Sequence, residues 1–187
     1  MEELQQNQSD NMDTGITVSV GMKVRYMYSF MFQHAHRSFQ GILGVLLSIA
    51  SLVMFFVTLR EPGNGTNLVI FLICGLLFTV VNPILLLIKA QQQVLLAPVY
   101  KKPLQYTFSE QGMTVTQDEQ SQFIEWNKVV AVRKTSSILV IYTSRNAGSI
   151  LAFKELGDAR AEVEAVIAKG CMNAGITKLP AYMKKLL

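Results

Sequence analysis

Charge is scarce in this chain: only 16% of its 187 residues are charged, against about 25% in typical soluble proteins. Cysteine is scarce too, and Cys74 and Cys171 lie far apart in very different surroundings, a pattern that indicates neither a disulfide framework nor a CxxC-type metal site. The two histidines, His34 and His36, have no third ligand nearby, and on a helix their rings diverge by about 200°. We therefore expect neither a metal nor another cofactor.

Motifs of catalysis are missing as well. The sequence contains no GxSxG, HExxH, Walker or Rossmann pattern. Both histidines precede the first apolar segment, which leaves the C-terminal half without a histidine for acid–base catalysis. The acidic residues of that half fall at predicted turns or strand edges, where solvation explains them: Glu110, Asp118, Glu119 and Glu125. We expect a protein that is not an enzyme.

Two long apolar runs dominate what the sequence does contain. They cover residues 41–59 and 68–88, and neither contains a charged residue. Each is close to the ~20 residues with which a helix crosses a bilayer core. The connection, residues 60–67, is rich in Pro, Gly and Asn and predicts a tight polar turn. Residues 41–89 therefore predict a transmembrane helical hairpin.

The lysines and arginines close to these runs predict the orientation of the hairpin, because such residues accumulate in cytoplasmic segments. They are Lys23, Arg25 and Arg37 before the first run, Lys89, Lys101 and Lys102 after the second, and Arg60 in the loop. We expect a multi-pass protein of the cell membrane with both termini in the cytoplasm.

Small and polar residues fall on one face of each predicted transmembrane helix: Gly44, Ser48 and Ser51 on the first, Gly75, Thr79 and Asn82 on the second. Such faces are typical of helices that pack closely in lipid, and they are compatible with a monomer or with a homo-oligomer. Asn82 precedes Pro83, which removes a backbone donor and predicts a structural kink. A transport or gating site would add an intramembrane charge, which both runs lack.

The segment before the hairpin has three parts. Residues 1–15 are mostly polar and predict a disordered N-terminus. Residues 16–24 alternate apolar with polar or small side chains, the period of a half-buried strand that needs a sheet to join. The residues from there to 40 are rich in Tyr, Phe and Met with a few cations, which is typical of an interfacial helix; strand and helix together make up 16–40.

After the second run the period of the apolar residues changes to two. The helix extends past the bilayer until Pro98 and Pro103 end it, and about six short β-branched strands follow. The last part predicts a helix that begins at Asp158 and ends at Gly170. Over residues 103–171 we therefore expect a small antiparallel β-barrel or curved sheet that is capped by a C-terminal helix.

The residues after that helix form a basic tail, 172–187. Lys184 and Lys185 stand among apolar residues there, which predicts a short amphipathic turn on the bilayer surface. Packing against the rest of the chain, or disorder, is the alternative.

The order of these elements resembles the YcxB-like family of small bacterial membrane proteins. The resemblance rests on the two transmembrane helices, the aromatic strand with Tyr106 and Phe108, Gly112 before the next strand, and Trp126 followed by NKVVAV. It implies an α+β membrane protein of the bacterial inner membrane whose C-terminal domain is similar to pleckstrin-homology-like (PH-like) domains. Family members often carry a proline and basic residues before the last helix, where this chain reads ILAFKEL with only Lys154.

Two residues of the PH-like segment have expected structural roles. Gly112 lies in the turn EQG, where it predicts a positive φ. In a PH-like domain Trp126 would stand at the corner between two strands and fold its indole over the open side of the sheet as a core plug. Insertion of this tryptophan into the membrane interface is the alternative.

These patterns predict a non-enzymatic integral membrane protein that presents a cytoplasmic PH-like binding or regulatory module at the inner face of the membrane. The candidate contacts to anionic lipid headgroups or to a membrane protein are cations, for which a solvated face is the alternative: Lys101, Lys102, Lys128, Arg133, Lys134 and Arg145. They are too dispersed to predict nucleic-acid binding. The alternative function is a structural or assembly subunit of a membrane complex that acts through oligomerisation of the hairpin.

Overall fold

The computed structural model describes residues 15–60, 63–145 and 147–185. The segment predicted to be disordered therefore lies outside the described residues except for Gly15, and so do part of the hairpin loop and the last two residues of the tail. The chain divides into two compact units. One is formed by the described residues up to Tyr26 together with those from Val94 onward, and the other runs from Met27 to Gln93.

Three helices account for the region between the first two strands: α1 (Val24–Arg37), α2 (Phe39–Thr58) and α3 (Gly65–Leu96). Ser38 separates the first two and caps α2, because its hydroxyl accepts a hydrogen bond from the Gly41 amide (3.0 Å). Within the described residues, α2 and α3 are the two helices that are long and apolar enough to cross a membrane. The expected extension of the second helix towards Pro98 is confirmed, since α3 continues to Leu96.

Three of the predicted small residues, Gly44, Ser48 and Gly75, pack against the facing helix. Gly44 lies against the ring of Phe78, and Gly75 lies against the side chain of Leu52. The buried hydroxyl of Ser48 donates a hydrogen bond to the carbonyl of Gly75. The close approach of the two helices therefore depends on the missing side chains of these glycines.

The region of Asn82 and Pro83 is not an isolated proline kink. A π-helical segment, Leu77–Val81, directly precedes Asn82, at which the α-helical part of α3 resumes. Such a wider turn lets a helix continue past a proline whose ring would clash with the preceding turn. Asn82 and Pro83 are half-buried.

In the part of the chain that the structure describes, seven antiparallel strands form two sheets. The first sheet has the order β1 (Ile16–Val20), β2 (Leu104–Phe108), β3 (Gly112–Gln117) and β4 (Gln120–Glu125). The second has the order β5 (Ala131–Lys134), β6 (Ile138–Tyr142) and β7 (Gly148–Ala152). The prediction of about six strands after the hairpin is confirmed, and so is the α+β class.

The predicted barrel is wrong, because the described strands do not close by hydrogen bonds into one sheet. The chain leaves β4 through a short 3-10 helix, Trp126–Lys128, and β5 then pairs with β6 instead of β4. Trp126 and Val129 are both buried at this corner. Burial of these two side chains anchors the turn that separates the sheets.

The strand predicted before the hairpin joins the sheet, as expected. β1 pairs with β2 in the register Ile16 to Phe108, and Val18 and Val20 are buried. The strand is shorter than predicted because α1 begins at Val24.

The C-terminal part of the chain contains α4 (Phe153–Leu156) and α5 (Arg160–Asn173). Asp158 is not an N-cap, because it lies in a 3-10 turn that runs directly into α5. Gly170 does not end the helix either, since α5 continues to Asn173. The sequence rule was misleading here because glycine is common after helix ends but is also used where a helix must pack closely.

The tail after α5 packs on its own unit and does not present an apolar face. Leu179 and Met183 are buried, whereas Lys184 and Lys185 are exposed. The carbonyl of Lys178 accepts a hydrogen bond from the Val132 amide of β5 (3.0 Å). At Leu179 and Met183 the tail therefore packs against the rest of the chain, which was the alternative to a turn on the bilayer.

Candidate functional site

A cavity of about 640 Å³ lies between the two sheets and opens to solvent. Leu104, Tyr106 and Val115 from β2 and β3 form one wall. The other wall comes from the end of β6 and the start of β7, with Thr143 and Ser149. Its lining combines apolar side chains with hydroxyl and amide groups, as is common in binding pockets.

Tyr106 is the most deeply buried polar side chain of this cavity, with 2% of its surface exposed. Burial raises the pKa of Tyr106 to about 12, an effect that a hydrogen bond with Ser149 partly offsets. The phenol therefore stays protonated at physiological pH and acts as a neutral hydrogen-bonding group. Its ring stacks on that of Phe108, with centroids 6.3 Å apart.

Lys128 is the charged residue of the cavity wall, and it is exposed. It follows β4 in the short 3-10 helix that leads to the second sheet. Among the described residues no ion pair joins Lys128 to a carboxylate. A ligand with an apolar group and an anion could thus use both the walls and this cation.

The other five candidate cations do not line the cavity: Lys101, Lys102, Arg133, Lys134 and Arg145. Two of them are already engaged within the chain. Lys102 forms an ion pair with Asp118 (2.8 Å), and Lys134 stacks over the ring of Tyr182 at 4.0 Å. Arg133 lies on β5, while Lys101 and Arg145 lie in two different turns. Of the six cations predicted from the sequence, Lys128 is therefore the one that lines this cavity.

Trp126 lies in the core of its unit and does not reach out of it. Its surface is 3% exposed, and its indole nitrogen donates a hydrogen bond to the Ser109 carbonyl (3.1 Å). Gly170 of α5 packs directly against the indole, since a Cβ at that position would collide with the ring nitrogen. The tryptophan thus holds the helix against the corner between the sheets.

Gly112 has a structural role that differs from the predicted one. It does not adopt a positive φ; instead it begins β3. A side chain there would collide with the Ile124 carbonyl and with the Phe123 ring. Glycine is needed for this close approach of β3 and β4.

Two polar clusters were missed by sequence reasoning. Glu155 accepts hydrogen bonds from Lys23 (2.6 Å) and from the hydroxyl of Tyr26 (3.2 Å). The residues that meet are separated by more than one hundred positions in the chain, so no local pattern indicates them. The bond from Lys23 lowers the pKa of Glu155 below its ordinary value of 4.5.

The second cluster surrounds Arg160 on α5. Its guanidinium forms an ion pair with the buried Glu164 (2.9 Å) and lies over the Phe153 ring at 3.8 Å. The i,i+4 spacing of Arg160 and Glu164 on a helix is the one signal that could have indicated this pair. Burial is the main reason why the pKa of the nearby Tyr182 is raised.

Groups suited to covalent or metal chemistry are not gathered at the cavity. Within the described residues, no cluster of three His, Cys, Asp or Glu side chains could hold a metal ion. Cys171 is a buried residue of α5, and burial raises the pKa of its thiol to about 12. The apolar walls, the hydroxyl groups and Lys128 of the cavity are groups that can contact a ligand.

Comparison with known proteins supports the resemblance inferred from the motifs. Residues 108–167 match the model of a family described as YcxB-like protein. No curated protein and no solved structure matches the chain. The matched segment begins at the end of β2 and continues into α5, so it includes Gly112, Trp126 and Lys128. Residues 108–167 are therefore similar to the YcxB-like family, and this range includes part of the lining of the cavity.

Proposed function

We propose that the chain is a non-enzymatic integral membrane protein that presents a PH-like binding domain at the inner face of a bacterial membrane. The cavity between the two sheets is the binding site, and its ligand combines an apolar group with an anion. One observation carries this proposal: apolar walls meet Lys128, which pairs with no carboxylate among the described residues, in one cavity of about 640 Å³.

Membrane insertion is supported by the surface of α2 and α3. Most of their large apolar side chains are exposed, including Leu46, Phe56 and Ile73. Monomeric soluble proteins rarely expose contiguous apolar surface on this scale. In a bilayer the same side chains face hydrocarbon.

A common side for the two ends of the hairpin is supported by the first sheet. β1 precedes the helices and β2 follows them, yet the two strands are hydrogen-bonded neighbours. Strands that pair must lie on the same side of the membrane. The excess of lysine and arginine outside the loop favours the cytoplasmic side.

A PH-like domain is supported by the order of the elements. Four antiparallel strands, three antiparallel strands and a C-terminal helix follow one another in a single unit. The family match runs through these elements in that order, from the end of β2 to most of α5.

Oligomerisation of the hairpin, the alternative function, has lost its main support. The small residues that suggested it are used between α2 and α3 of one chain, through Gly44, Ser48 and Gly75. Binding of anionic headgroups by a continuous basic surface is also weakened, because Lys102 and Lys134 are engaged within the chain.

The test is photocrosslinking in living cells with the full chain. A photoreactive residue at Thr143, which lines the cavity, is compared with the same residue at Ser144, which is exposed and does not line it. We expect a product that is specific to Thr143 and that decreases severalfold in the Lys128→Gln variant. Mass spectrometry of the product then distinguishes a lipid phosphate from a protein carboxylate. Equal capture at the two positions, or capture that is indifferent to Lys128→Gln, would contradict the proposal.

A further inference from the structure

β4 is one of the two edge strands of the first sheet, and its outer side pairs with no other strand among the described residues. It pairs with β3 alone, and among the described residues no backbone hydrogen bond joins residues 120–125 to any other segment. The strand is six residues long and contains no proline, lysine or arginine. Natural sheets usually protect an edge of this kind with such residues or with a bulge.

The register shows which groups of β4 are available. The Trp126 amide donates to the Gln111 carbonyl (3.3 Å), and Ile124 is paired with Met113. Since hydrogen-bonded pairs alternate along an antiparallel ladder, the even-numbered residues of β4 bond to β3. The N–H and C=O groups of Ser121, Phe123 and Glu125 therefore point to the free edge.

We propose that this edge pairs with β4 of a second copy of the chain, antiparallel and about a two-fold axis at Phe123. This inference goes beyond the proposed binding function and does not depend on the ligand of the cavity. In this register Phe123 faces its own counterpart, and Ser121 of each copy faces Glu125 of the other. All three pairs use edge-facing groups, with two backbone hydrogen bonds in each pair.

The side chains of β4 fit this arrangement. Phe123 is a large apolar residue with 37% of its surface exposed. Pairing with its counterpart would bury part of that ring and add a cross-strand aromatic contact. Glu125, which also accepts a hydrogen bond from Asn127 (2.8 Å), would face a serine and not another carboxylate.

Charge complementarity selects a second copy over an unrelated strand. Asp118 and Glu119 lie in the turn before β4, and Lys128 lies just after it. The two-fold register brings the acidic end of each strand beside Lys128 of the other copy. Asp118 already forms an exposed ion pair with Lys102, so the added cation extends an existing charge pair. A parallel pairing would instead align like charges.

Space beside the strand is also present. Apart from the proposed ligand site, every residue of β4 except Ile124 lines one of two further cavities, of about 390 and 560 Å³. An added strand would place its side chains into this concave surface, in the mode by which sheet edges accept a further strand. Anchoring of both copies in one membrane would raise their effective concentration.

The first experiment is oxidative crosslinking of the full chain in membranes, in a Cys74→Ala background. We expect the Phe123→Cys variant to form a disulfide-linked dimer. The Ser121→Cys and Glu125→Cys variants should crosslink poorly alone, yet form a mixed dimer when they are co-expressed with different tags. The control is Thr114→Cys, which lies opposite Phe123 on β3 inside the sheet and should stay monomeric.

The second experiment needs no cysteine and compares Ser121→Pro with Ser121→Ala. Proline at 121 removes only an edge-facing N–H, because the ladder to β3 uses the even-numbered residues. We expect a severalfold lower dimer fraction in lipid nanodiscs or by single-molecule photobleaching for Ser121→Pro only, with unchanged Trp126 fluorescence. A wild-type chain that remains monomeric, or crosslinking that is equal at positions 121, 123 and 125 in single variants, would overturn the proposal.

Discussion

Thr17 and Thr107 face each other across the first sheet, with their hydroxyl oxygens 2.9 Å apart, although 90 positions separate them in the chain. In the sequence, both apolar helices come after Thr17 and before Thr107. The sheet is therefore completed by a strand that precedes the helices. A fragment that starts after the hairpin would expose the edge of β2 and the apolar side chains that Val18 and Val20 cover.

This relationship determines how the proposed binding function should be studied. A measurement on the intact chain in nanodiscs keeps β1 in place, whereas residues 103–187 alone lack this strand. If that fragment failed to float with lipid vesicles, the result could not distinguish a loss of binding from a loss of structure.

The contact between Gly170 and Trp126 predicts that Gly170→Ala destabilises the protein. Alanine is the better helix former by about 1 kcal/mol, but overpacking typically costs about 1–3 kcal/mol. The indole is fixed by its bond to Ser109, so it cannot easily move away from a new methyl group. We expect a net loss of about 1 kcal/mol, measured by denaturation followed through fluorescence of Trp126, the single tryptophan. Asn173→Ala, exposed in the last turn of α5, is the control.

Burial of the tail predicts that Met183→Ala lowers stability. Met183 is fully buried, and truncation of a buried methionine usually costs about 2–5 kcal/mol. Lys184→Ala, at the exposed neighbouring position, should change stability by less than about 0.5 kcal/mol. Both are read from chemical denaturation midpoints. Equal effects of the two substitutions would indicate that the tail does not pack on the domain.

The ion pair of Lys23 and Glu155 predicts a pH dependence of stability. Because the hydrogen bond from Lys23 lowers the pKa of Glu155, the stabilisation is present above its ordinary value of 4.5 and is lost as the pH falls through the lower folded value. The pKa of Lys23 is raised from 10.5, so that contribution is present below 10.5 and is lost at higher pH. We expect Glu155→Gln to lower the melting temperature at about pH 7. The difference from wild type should shrink steadily below pH 4.5.

Packing of the hairpin predicts a modest effect of Ser48→Ala. The buried hydroxyl of Ser48 donates to the Gly75 carbonyl of the facing helix, and such interhelical bonds contribute about 0.6 kcal/mol on average in membranes. The measurement is reversible unfolding in mixed micelles. Ser51→Ala, at a half-buried position one turn further along α2, is the matched control and should have a smaller effect.

Much of the fold could be predicted because its signals are local. The two apolar runs, the period-two strands and the helical pattern near the end each lie within a short stretch of sequence. The barrel was predicted wrongly because the break between the sheets depends on burial of Trp126 and Val129, which no period reveals. Gly112 and Gly170 were misassigned for a related reason, since both are needed for close tertiary contacts and not for their own backbone conformation.

The candidate site was predictable only in part. Lys128 was among the predicted cations and lines the cavity, but the sequence analysis treated it like Arg133 and Arg145, which do not line the cavity. For Tyr106 the sequence predicted only a place in an aromatic strand. Its hydrogen bond with Ser149 joins strands of two different sheets, which are far apart in the sequence. To predict a site that lies between two sheets, the strand register of both sheets must be known, and the periodicity of the sequence does not give it.

The most direct measurement is disulfide formation between Thr17→Cys and Thr107→Cys in the membrane-embedded chain, combined with labelling from each side. Antiparallel neighbours lie about 4.5–5.5 Å apart at their Cα atoms, within the range of a disulfide. We predict that this pair crosslinks within one chain, that Thr17→Cys with Thr114→Cys does not, and that an impermeant thiol reagent reaches Thr17→Cys and Ser144→Cys only from the cytoplasmic side. Labelling of the two positions from opposite sides of the membrane would contradict a single domain built from both ends of the hairpin.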